Sequence, residues 1–241
     1  MCSSCETIER HVSSRRAFMF GAAGAAIGAA MLPRRAWADT VAKPQNMISP
    51  QEALDRLMAG NARYVANTPE VRDFSAGRAA RAAGQYPVAA ILSCADARVA
   101  PELVFDQNPG DLFVVRLAGN FVDDDGLASL EYGVKFLGAP LVMVLGHSSC
   151  GAVDAAIKVL SDNLELPGHL PDLIDSIKPA VEQAKKSNPA NLLEASIAEN
   201  VRLNVGRLNT AEPIMKEAAS SQQIRVVGGV YEIATGKVEI L

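Results

Sequence analysis

The chain of 241 residues carries 23 basic and 27 acidic side chains, 49% hydrophobic and 5% aromatic residues and four cysteines, with a formal net charge of −4. This length can bury a sizeable core, and the composition excludes a disordered chain, a collagen and a disulfide-stapled miniprotein. Because the isoelectric point is near 5.5 and aromatic residues are scarce, we expect no nucleic acid and no anionic membrane surface as the main partner.

The amino terminus is predicted to be a targeting segment. Arg15 and Arg16 precede an uncharged run from Phe18 to Leu32, and Ala36-Trp37-Ala38 follows as a small-x-small cleavage pattern. This order is typical of a secretory signal, and the paired arginines indicate the twin-arginine export machinery. The apolar run is shorter than the roughly 20 residues that span a bilayer. We therefore expect a periplasmic or extracellular protein, tethered to the membrane if the signal is not cleaved; a short buried helix is the alternative.

Removal of residues 1–38 changes the charge and the cysteine count. It leaves 18 of the 23 basic and 25 of the 27 acidic side chains, a net charge of −7. Cys2 and Cys5 leave with the segment; their spacing looks like half of a metal site, but no second half of matching spacing exists. Two cysteines, Cys94 and Cys150, remain in the mature chain with two histidines.

Residues 39–48 are interpreted as a polar linker, and residues 49–241 as one domain. Its first helix is predicted to begin at Ser49, since Pro50 and Glu52 follow as favourable first-turn residues. Because strands that are apolar on both faces alternate with helical patterns, we expect an α/β fold. It would have a central, mostly parallel β-sheet flanked by helices, an N-terminal helical arm and C-terminal edge strands. Predicted strands cover 88–93, 112–116, 141–145, 224–233 and 237–241, and later helices cover 101–106, 126–137, 152–160, 170–187, 190–208 and 211–220.

Two short motifs carry the candidate chemistry. Cys94, Asp96 and Arg98 alternate where the first buried strand ends, so they share one face while the chain stays extended. His147 and Cys150 lie where a later strand ends and a helix begins, and a helix N-terminus favours the thiolate form of cysteine. Both segments leave the carboxyl ends of parallel strands, where open α/β sheets place their sites.

Two thiolates, one imidazole and one carboxylate together suit tetrahedral zinc. Each motif is weak by itself, because a cysteine at a strand end is often a small buried apolar residue. Both cysteines of the mature chain and one of its two histidines nevertheless fall within these motifs. A redox cysteine pair, which would require adjacent and metal-free sulfurs, and plain structural burial are the alternatives.

These residues, with others along the chain, resemble a β-class carbonic anhydrase that follows a twin-arginine signal peptide. The resemblance covers essentially all of residues 50–241, and the order and spacing of its two motifs are specific. The matching segments are Cys94-Ala-Asp-Ala-Arg98, Gly110-Asp-Leu-Phe-Val-Val-Arg116, Ala118-Gly-Asn120, Ser129-Leu-Glu-Tyr132, Gly146-His-Ser-Ser-Cys-Gly-Ala152 and Gly229-Val-Tyr-Glu-Ile-Ala-Thr-Gly236.

The resemblance implies one Zn²⁺ per chain, held by Cys94, His147 and Cys150, with water or Asp96 in the fourth position. It implies that Asp96 and Arg98 form the catalytic dyad. The implied reaction is the reversible hydration of carbon dioxide to bicarbonate and a proton, and the implied assembly is a homodimer or a dimer of dimers.

Gln85, Phe113 and Tyr132 match positions that line the family's substrate pocket, some of them across a dimer interface. Gln85 has an alternative interpretation as a turn residue, and the two aromatic residues as core residues. The sequence departs from the family pattern at Leu117, where Asn is usual, and at Ala97, where Ser is common.

Two other functions remain open at this point. A related zinc hydrolase would act on carbonyl sulfide or carbon disulfide, and a zinc-stabilised module would bind bicarbonate without turnover. The presence of Asp96 and Arg98 counts against the binding module, since binding alone does not need the dyad. His169 is a candidate proton carrier by residue type, with a helix-cap role as the alternative.

Overall fold

A computed structural model describes residues 45–241; the predicted signal and most of the predicted linker lie outside the described residues. Within that range no helix is both long and apolar enough to span a membrane. In chain order, the elements are α1 Pro50–Val65, α2 Arg78–Ala83, β1 Ala89–Ser93, α3 Pro101–Val104, β2 Leu112–Arg116, α4 Asp124–Lys135, β3 Leu141–His147, α5 Gly151–Asp162, α6 Leu170–Asp175, α7 Lys178–Lys185, α8 Leu192–Thr210, α9 Ile214–Ser220, β4 Arg225–Tyr231 and β5 Val238–Ile240.

A five-stranded sheet in the order β2-β1-β3-β4-β5 forms the centre of the fold. The pairs β1–β2, β1–β3 and β3–β4 are parallel, and β5 is antiparallel to β4 at one edge. This topology confirms the predicted α/β fold with a mostly parallel sheet. Of the two predicted C-terminal edge strands, β5 forms the edge, whereas β4 lies inside the sheet between β3 and β5. The parallel pairing of β1 and β3 matters for the site. Because these two strands are neighbours and run in the same direction, their carboxyl ends lie side by side.

Both faces of the sheet are buried, which explains the continuous apolar runs in the sequence. Alternate strand residues such as Ile91 and Met143 pack with α1 on one face. Their neighbours Leu92 and Val144 pack with α4 and α8 on the other face. A strand that is covered on both sides has no polar face, so hydrophobic alternation is absent from β1 and β3.

Three helices of the described residues begin at side-chain caps: α1 at Ser49, α4 at Asp123 and α8 at Asn191. Ser49 Oγ accepts a hydrogen bond from the Glu52 N–H at 3.2 Å, and the Glu52 carboxylate accepts one from the Ser49 N–H at 2.7 Å. This capping box confirms the predicted start of α1. Asp123 caps α4 by accepting from the Gly126 N–H, so α4 begins two residues earlier than predicted.

The helical region after α5 differs from the prediction. The expected helix over 170–187 is divided into α6 and α7, which meet around Ile177. Pro179 lies in the first turn of α7 and has no N–H for a continuous helix, so the break falls there. The short helix α2 was not predicted; its side chains are exposed or half-exposed, and its Arg and Ala residues show no amphipathic period.

Candidate metal centre

Three metal-ligating side chains meet at the carboxyl ends of β1 and β3. Cys94 follows the last residue of β1, His147 is the last residue of β3, and Cys150 is the N-cap residue of α5. All three are buried, and their ligand atoms lie within 4.8 Å of one another. Folding therefore brings together the three residues that the sequence predicts as zinc ligands, although they come from two distant segments of the chain.

The protonation of the His147 ring is fixed by its surroundings. Its Nδ1 lies 2.9 Å from the Ser148 carbonyl oxygen, which can only accept a hydrogen bond, so Nδ1 carries the proton. Its Nε2 is buried and has no hydrogen-bond partner among the described residues. A lone pair aimed into a buried cluster of two sulfurs is the arrangement that a bound Zn²⁺ requires.

The two sulfurs are free thiols, with no disulfide in the described part of the chain. A hydrogen bond with the Cys150 thiol, supported by the backbone N–H of Gly119, outweighs the effect of burial and lowers the pKa of Cys94 to about 4. The same hydrogen bond, together with burial, raises the pKa of Cys150. The pair thus shares a proton that a metal ion would displace, since a metal needs both sulfurs as thiolates.

Asp96 lies beside this cluster and is held by Arg98. Its Oδ1 accepts from the Arg98 N–H and Nε at 2.9 Å each, and its Oδ2 accepts from Nη2 at 2.7 Å. These bonds hold the pKa of the Asp96 carboxyl well below its usual range. Oδ2 is 3.9 Å from His147 Nε2, so the carboxylate borders the three-ligand group without belonging to it.

Arg116, at the end of β2, holds the loop that carries Cys94 and Asp96. Its Nε donates to the Cys94 carbonyl at 3.0 Å, and its Nη2 donates to the carbonyls of Asp96 and Val99 at 2.7 and 2.8 Å. Sequence reasoning matched Arg116 to the family pattern but assigned it no role. Its position at the end of a predicted strand, level with Ser93 of β1, was the available signal.

Ser148 holds the second motif in the same way. Its N–H donates to the Tyr231 carbonyl at 2.9 Å, its hydroxyl donates to Glu232 at 2.8 Å, and the hydroxyl accepts from the Ile233 N–H at 3.0 Å. The loop from His147 to Cys150 is therefore fastened to the end of β4. The sequence singled out no role for Ser148 or Glu232.

Within a single chain, the three predicted pocket residues lie away from this metal centre. Gln85 is exposed and precedes β1, while Phe113 pairs with Ala90 near the start of β1. Tyr132 packs on Phe113, with ring centroids 6.2 Å apart, and is 47% exposed. All three lie towards the amino ends of the strands, whereas the metal-ligating side chains lie at the carboxyl ends.

Leu117, one of the two departures from the family pattern, lies beside Ser93 and Ala95, and His169 lies at the start of α6. Leu117 packs against the apolar cluster that contains both cysteines, while its carbonyl accepts from the N–H groups of Ala95 and Asn120. The backbone thus holds this turn without a side-chain amide at residue 117. His169 is the N-cap residue of α6, and its side chain makes no capping hydrogen bond.

Comparison with known proteins adds independent evidence. Residues 89–238 match the protein family described as carbonic anhydrase. Carbonic anhydrase 2 of Mycobacterium tuberculosis is 37% identical over 190 residues, which cover 78% of this chain and 91% of that protein. The carbonic anhydrase of Mycolicibacterium smegmatis is 35% identical over 193 residues, covering 80% of this chain and 93% of that protein.

Solved structures share the fold. The β-carbonic anhydrase CcaA superposes with a TM-score of 0.61 at 28% identity, covering 78% of this chain and 94% of that one. A structure from a study of two tetrameric β-carbonic anhydrases of Sordaria macrospora gives a TM-score of 0.62 at 24% identity, covering 79% and 95%. The family match over residues 89–238 includes both cysteine motifs and the strands that carry them.

Proposed function

The chain belongs to the β-class carbonic anhydrase family, and we propose that this site catalyses the reversible hydration of carbon dioxide to bicarbonate and a proton. The observation that carries the proposal is the buried group of Cys94, His147 and Cys150 beside the Asp96–Arg98 pair. Such a site combines ligands for an activating metal with a fixed hydrogen-bond acceptor.

The donor set fits zinc. Two sulfurs and one imidazole nitrogen are preferred Zn²⁺ ligands, and three protein ligands leave a fourth position for chemistry. When bound, zinc supplies the Lewis acidity that lets water act as a nucleophile near neutral pH. We assign Cys94, His147 and Cys150 as the ligands, with the proton on His147 Nδ1 and the lone pair of Nε2 directed to the metal.

Asp96 has the acceptor role in this proposal. Its ionised carboxylate, held by Arg98, would accept a hydrogen bond from the attacking water and so direct an oxygen lone pair at carbon dioxide. Arg98 Nη2 also lies 3.5 Å from the Ser149 carbonyl and so touches both motifs. In the competing arrangement Asp96 leaves Arg98 and takes the fourth ligand position, which would exclude the water.

A second copy of the chain would complete the substrate pocket. Gln85, Phe113 and Tyr132 lie away from the metal-ligating side chains of their own chain, and β2 is an edge strand with a free side. The exposed helix α2 lies in the same segment as Gln85. We therefore propose a homodimer, or a dimer of dimers, in which these residues face the partner's metal centre.

The test of the proposed function joins two measurements on the purified full-length chain. Zinc content and stopped-flow hydration of carbon dioxide are measured on the native protein and on Cys150→Ser, which lacks one ligand. We expect one zinc per chain and rapid hydration in the native protein, and loss of both in the variant. Full zinc occupancy without hydration would contradict the proposal. Hydrolysis of carbonyl sulfide or carbon disulfide, or bicarbonate binding alone, would then be assayed on the same sample.

We further propose export by the twin-arginine route, with residues 1–38 as the signal, residues 39–48 as linker and 49–241 as the enzyme domain. The support is the sequence pattern around Arg15 and Arg16. This route carries folded proteins, so zinc would bind before transport and protect both thiols. Cell fractionation should find the native protein outside the cytoplasm and an Arg15→Lys, Arg16→Lys variant inside it. A native protein that stays in the cytoplasm of a host with this machinery would contradict export.

A further inference from the structure

The helix α8, the longest among the described residues, carries a buried polar stripe that the proposed chemistry does not use. Ser196, Asn200 and Asn204 are spaced by four residues and are 0%, 1% and 6% exposed. Their neighbours Ile197 and Val201 pack into the core from the same helix. Because a buried amide is costly unless it is hydrogen-bonded, two asparagines at such positions need a structural or functional reason.

The hydrogen bonds of the two asparagines lead to the loop after β2. Asn200 Nδ2 donates to the Gly119 carbonyl at 2.8 Å. Asn204 Oδ1 accepts from the Val122 N–H at 2.7 Å, while its Nδ2 donates to the Asn200 carbonyl at 2.8 Å and lies 3.2 Å from Asn200 Oδ1. The pair therefore clamps residues 119 and 122 from a helix about eighty residues further along the chain.

That loop is in contact with the candidate metal centre. The Gly119 N–H donates to Cys94 Sγ at 3.2 Å. Gly119 lies in a tight turn that is closed by the hydrogen bond from the Asn120 N–H to the Leu117 carbonyl at 2.9 Å. Its φ of +85° suits glycine, and an added Cβ would lie 2.4 Å from Ile177 Cδ1. The turn thus has little freedom, and Asn200 holds the carbonyl next to the donating N–H.

We propose that Asn200 and Asn204 are positioning residues that keep the Gly119 N–H on the Cys94 sulfur. A hydrogen bond to a thiolate withdraws electron density that the sulfur would otherwise donate to the metal. In a site with two thiolates, this bond strengthens the Lewis acidity of the bound ion. This inference depends on the proposed function only in assuming that a metal is bound. It concerns the electron density on the Cys94 sulfur and not the reaction.

The experiment uses the cobalt(II)-substituted full-length protein, whose thiolate-to-cobalt charge-transfer band reports directly on the sulfur. Asn200→Leu keeps similar bulk and removes the donor to Gly119. We expect the band to move to longer wavelength, because a sulfur without its hydrogen bond is easier to oxidise. Asn204→Ala acts one bond further away, so a smaller shift in the same direction is expected.

Leu208→Ala is the matched control, since it removes a buried side chain from the same helix without touching a hydrogen bond. It should lower the melting temperature and leave the band in place. If the asparagine variants that fold keep the charge-transfer band at its native wavelength, the inference is wrong. If the native protein does not hydrate carbon dioxide while the band of Asn200→Leu is still shifted relative to the native band, the proposed function is refuted and this inference stands.

Discussion

Arg98 determines where the Asp96 carboxylate lies. It contributes three hydrogen bonds to that carboxylate, although the arginine side chain itself is 53% exposed. Two of these bonds come from the guanidinium, which matches a carboxylate better than an ammonium does. The pairing leaves a gap between Asp96 Oδ2 and His147 Nε2, so the carboxylate stays near the metal position as an acceptor.

Replacing Arg98 tests this assignment. In Arg98→Ala the carboxylate loses its partner and is free to take the fourth ligand position, so we expect carbon dioxide hydration to fall by about 100-fold or more. Zinc content should stay near one per chain, because none of the three proposed ligands is changed. Stopped-flow kinetics and elemental analysis of the same preparation measure both quantities.

The matched variant for this prediction is Arg98→Lys, which keeps the charge but cannot form the bidentate pair. We expect it to recover only a minor part of the lost activity. Normal turnover in Arg98→Ala would refute the competition between Arg98 and the metal for Asp96.

At the scale of elements, Asp106, just after α3, binds both the last turn of α1 and the segment that follows α1. Its side chain is 1% exposed and accepts hydrogen bonds from Arg63 Nε at 2.5 Å, from the Glu70 N–H at 3.2 Å and from Arg72. Burial alone would raise the pKa of Asp106, but these donors outweigh it and lower the pKa below its ordinary value. The ion pairs therefore stabilise the fold at neutral pH.

We predict that Asp106→Asn lowers the free energy of unfolding by about 2 kcal/mol at pH 7, less than for a fully buried pair because the arginines are partly exposed. Asparagine tolerates the left-handed backbone at residue 106, where φ is 47°. Because the folded pKa is depressed, the stabilisation is present above about pH 4 and is lost as the pH falls. Urea unfolding at pH 7 and pH 3 should show the difference from the native protein shrinking in acid.

Asp55→Asn is the control for that series, since Asp55 is exposed on α1. Its effect should stay within about 0.5 kcal/mol at both pH values. An Asp106→Asn penalty that is equally large at pH 3 would show that packing, and not charge, carries the effect.

Close approach between α1 and α3 depends on Gly60. A Cβ at this position would lie 1.8 Å from the Phe105 carbonyl oxygen, which is backbone and has little freedom to move. We expect Gly60→Ala to destabilise the protein by about 3 kcal/mol or more through overpacking. Gly206→Ala on α8 meets no atom within 4 Å and should instead stabilise the protein by about 0.5–1 kcal/mol through helix propensity. Denaturant unfolding of both variants measures the contrast, and equal effects of the two substitutions would contradict it.

At the scale of the whole molecule, the question is whether a single chain forms a complete site. The metal-ligating group lies at the carboxyl ends of β1 and β3, whereas Gln85 precedes β1. In the homodimer proposed above, twofold symmetry would give each chain the same contact, with Gln85 facing the metal centre of its partner.

Co-expression of two defective variants tests this arrangement. Cys150→Ser removes a ligand, and Gln85→Ala removes a pocket side chain; each alone should be strongly impaired. If Gln85 acts in the partner, a mixed dimer contains one native composite site, and random pairing should restore about a quarter of native hydration activity. If Gln85 acts in its own chain, no native site forms in the mixture and activity is not restored, which would reject the shared pocket.

The sequence by itself determined the sheet and the identity of the three clustered donors. Strands that are buried on both faces must be apolar throughout, so β1 and β3 were visible as continuous runs. The donors were visible because cysteine and histidine are rare in this chain and because parallel strands bring their carboxyl ends to one edge.

Tertiary structure alone decided how those donors are held. Arg116 reaches three backbone carbonyls, and Asn200 reaches Gly119 from a helix that the sequence marked only as helical. It also decided that Gln85 lies away from the metal centre of its own chain. The physical reason is that hydrophobic patterns report burial, whereas a hydrogen bond depends on which N–H and C=O groups face each other between segments far apart in the chain.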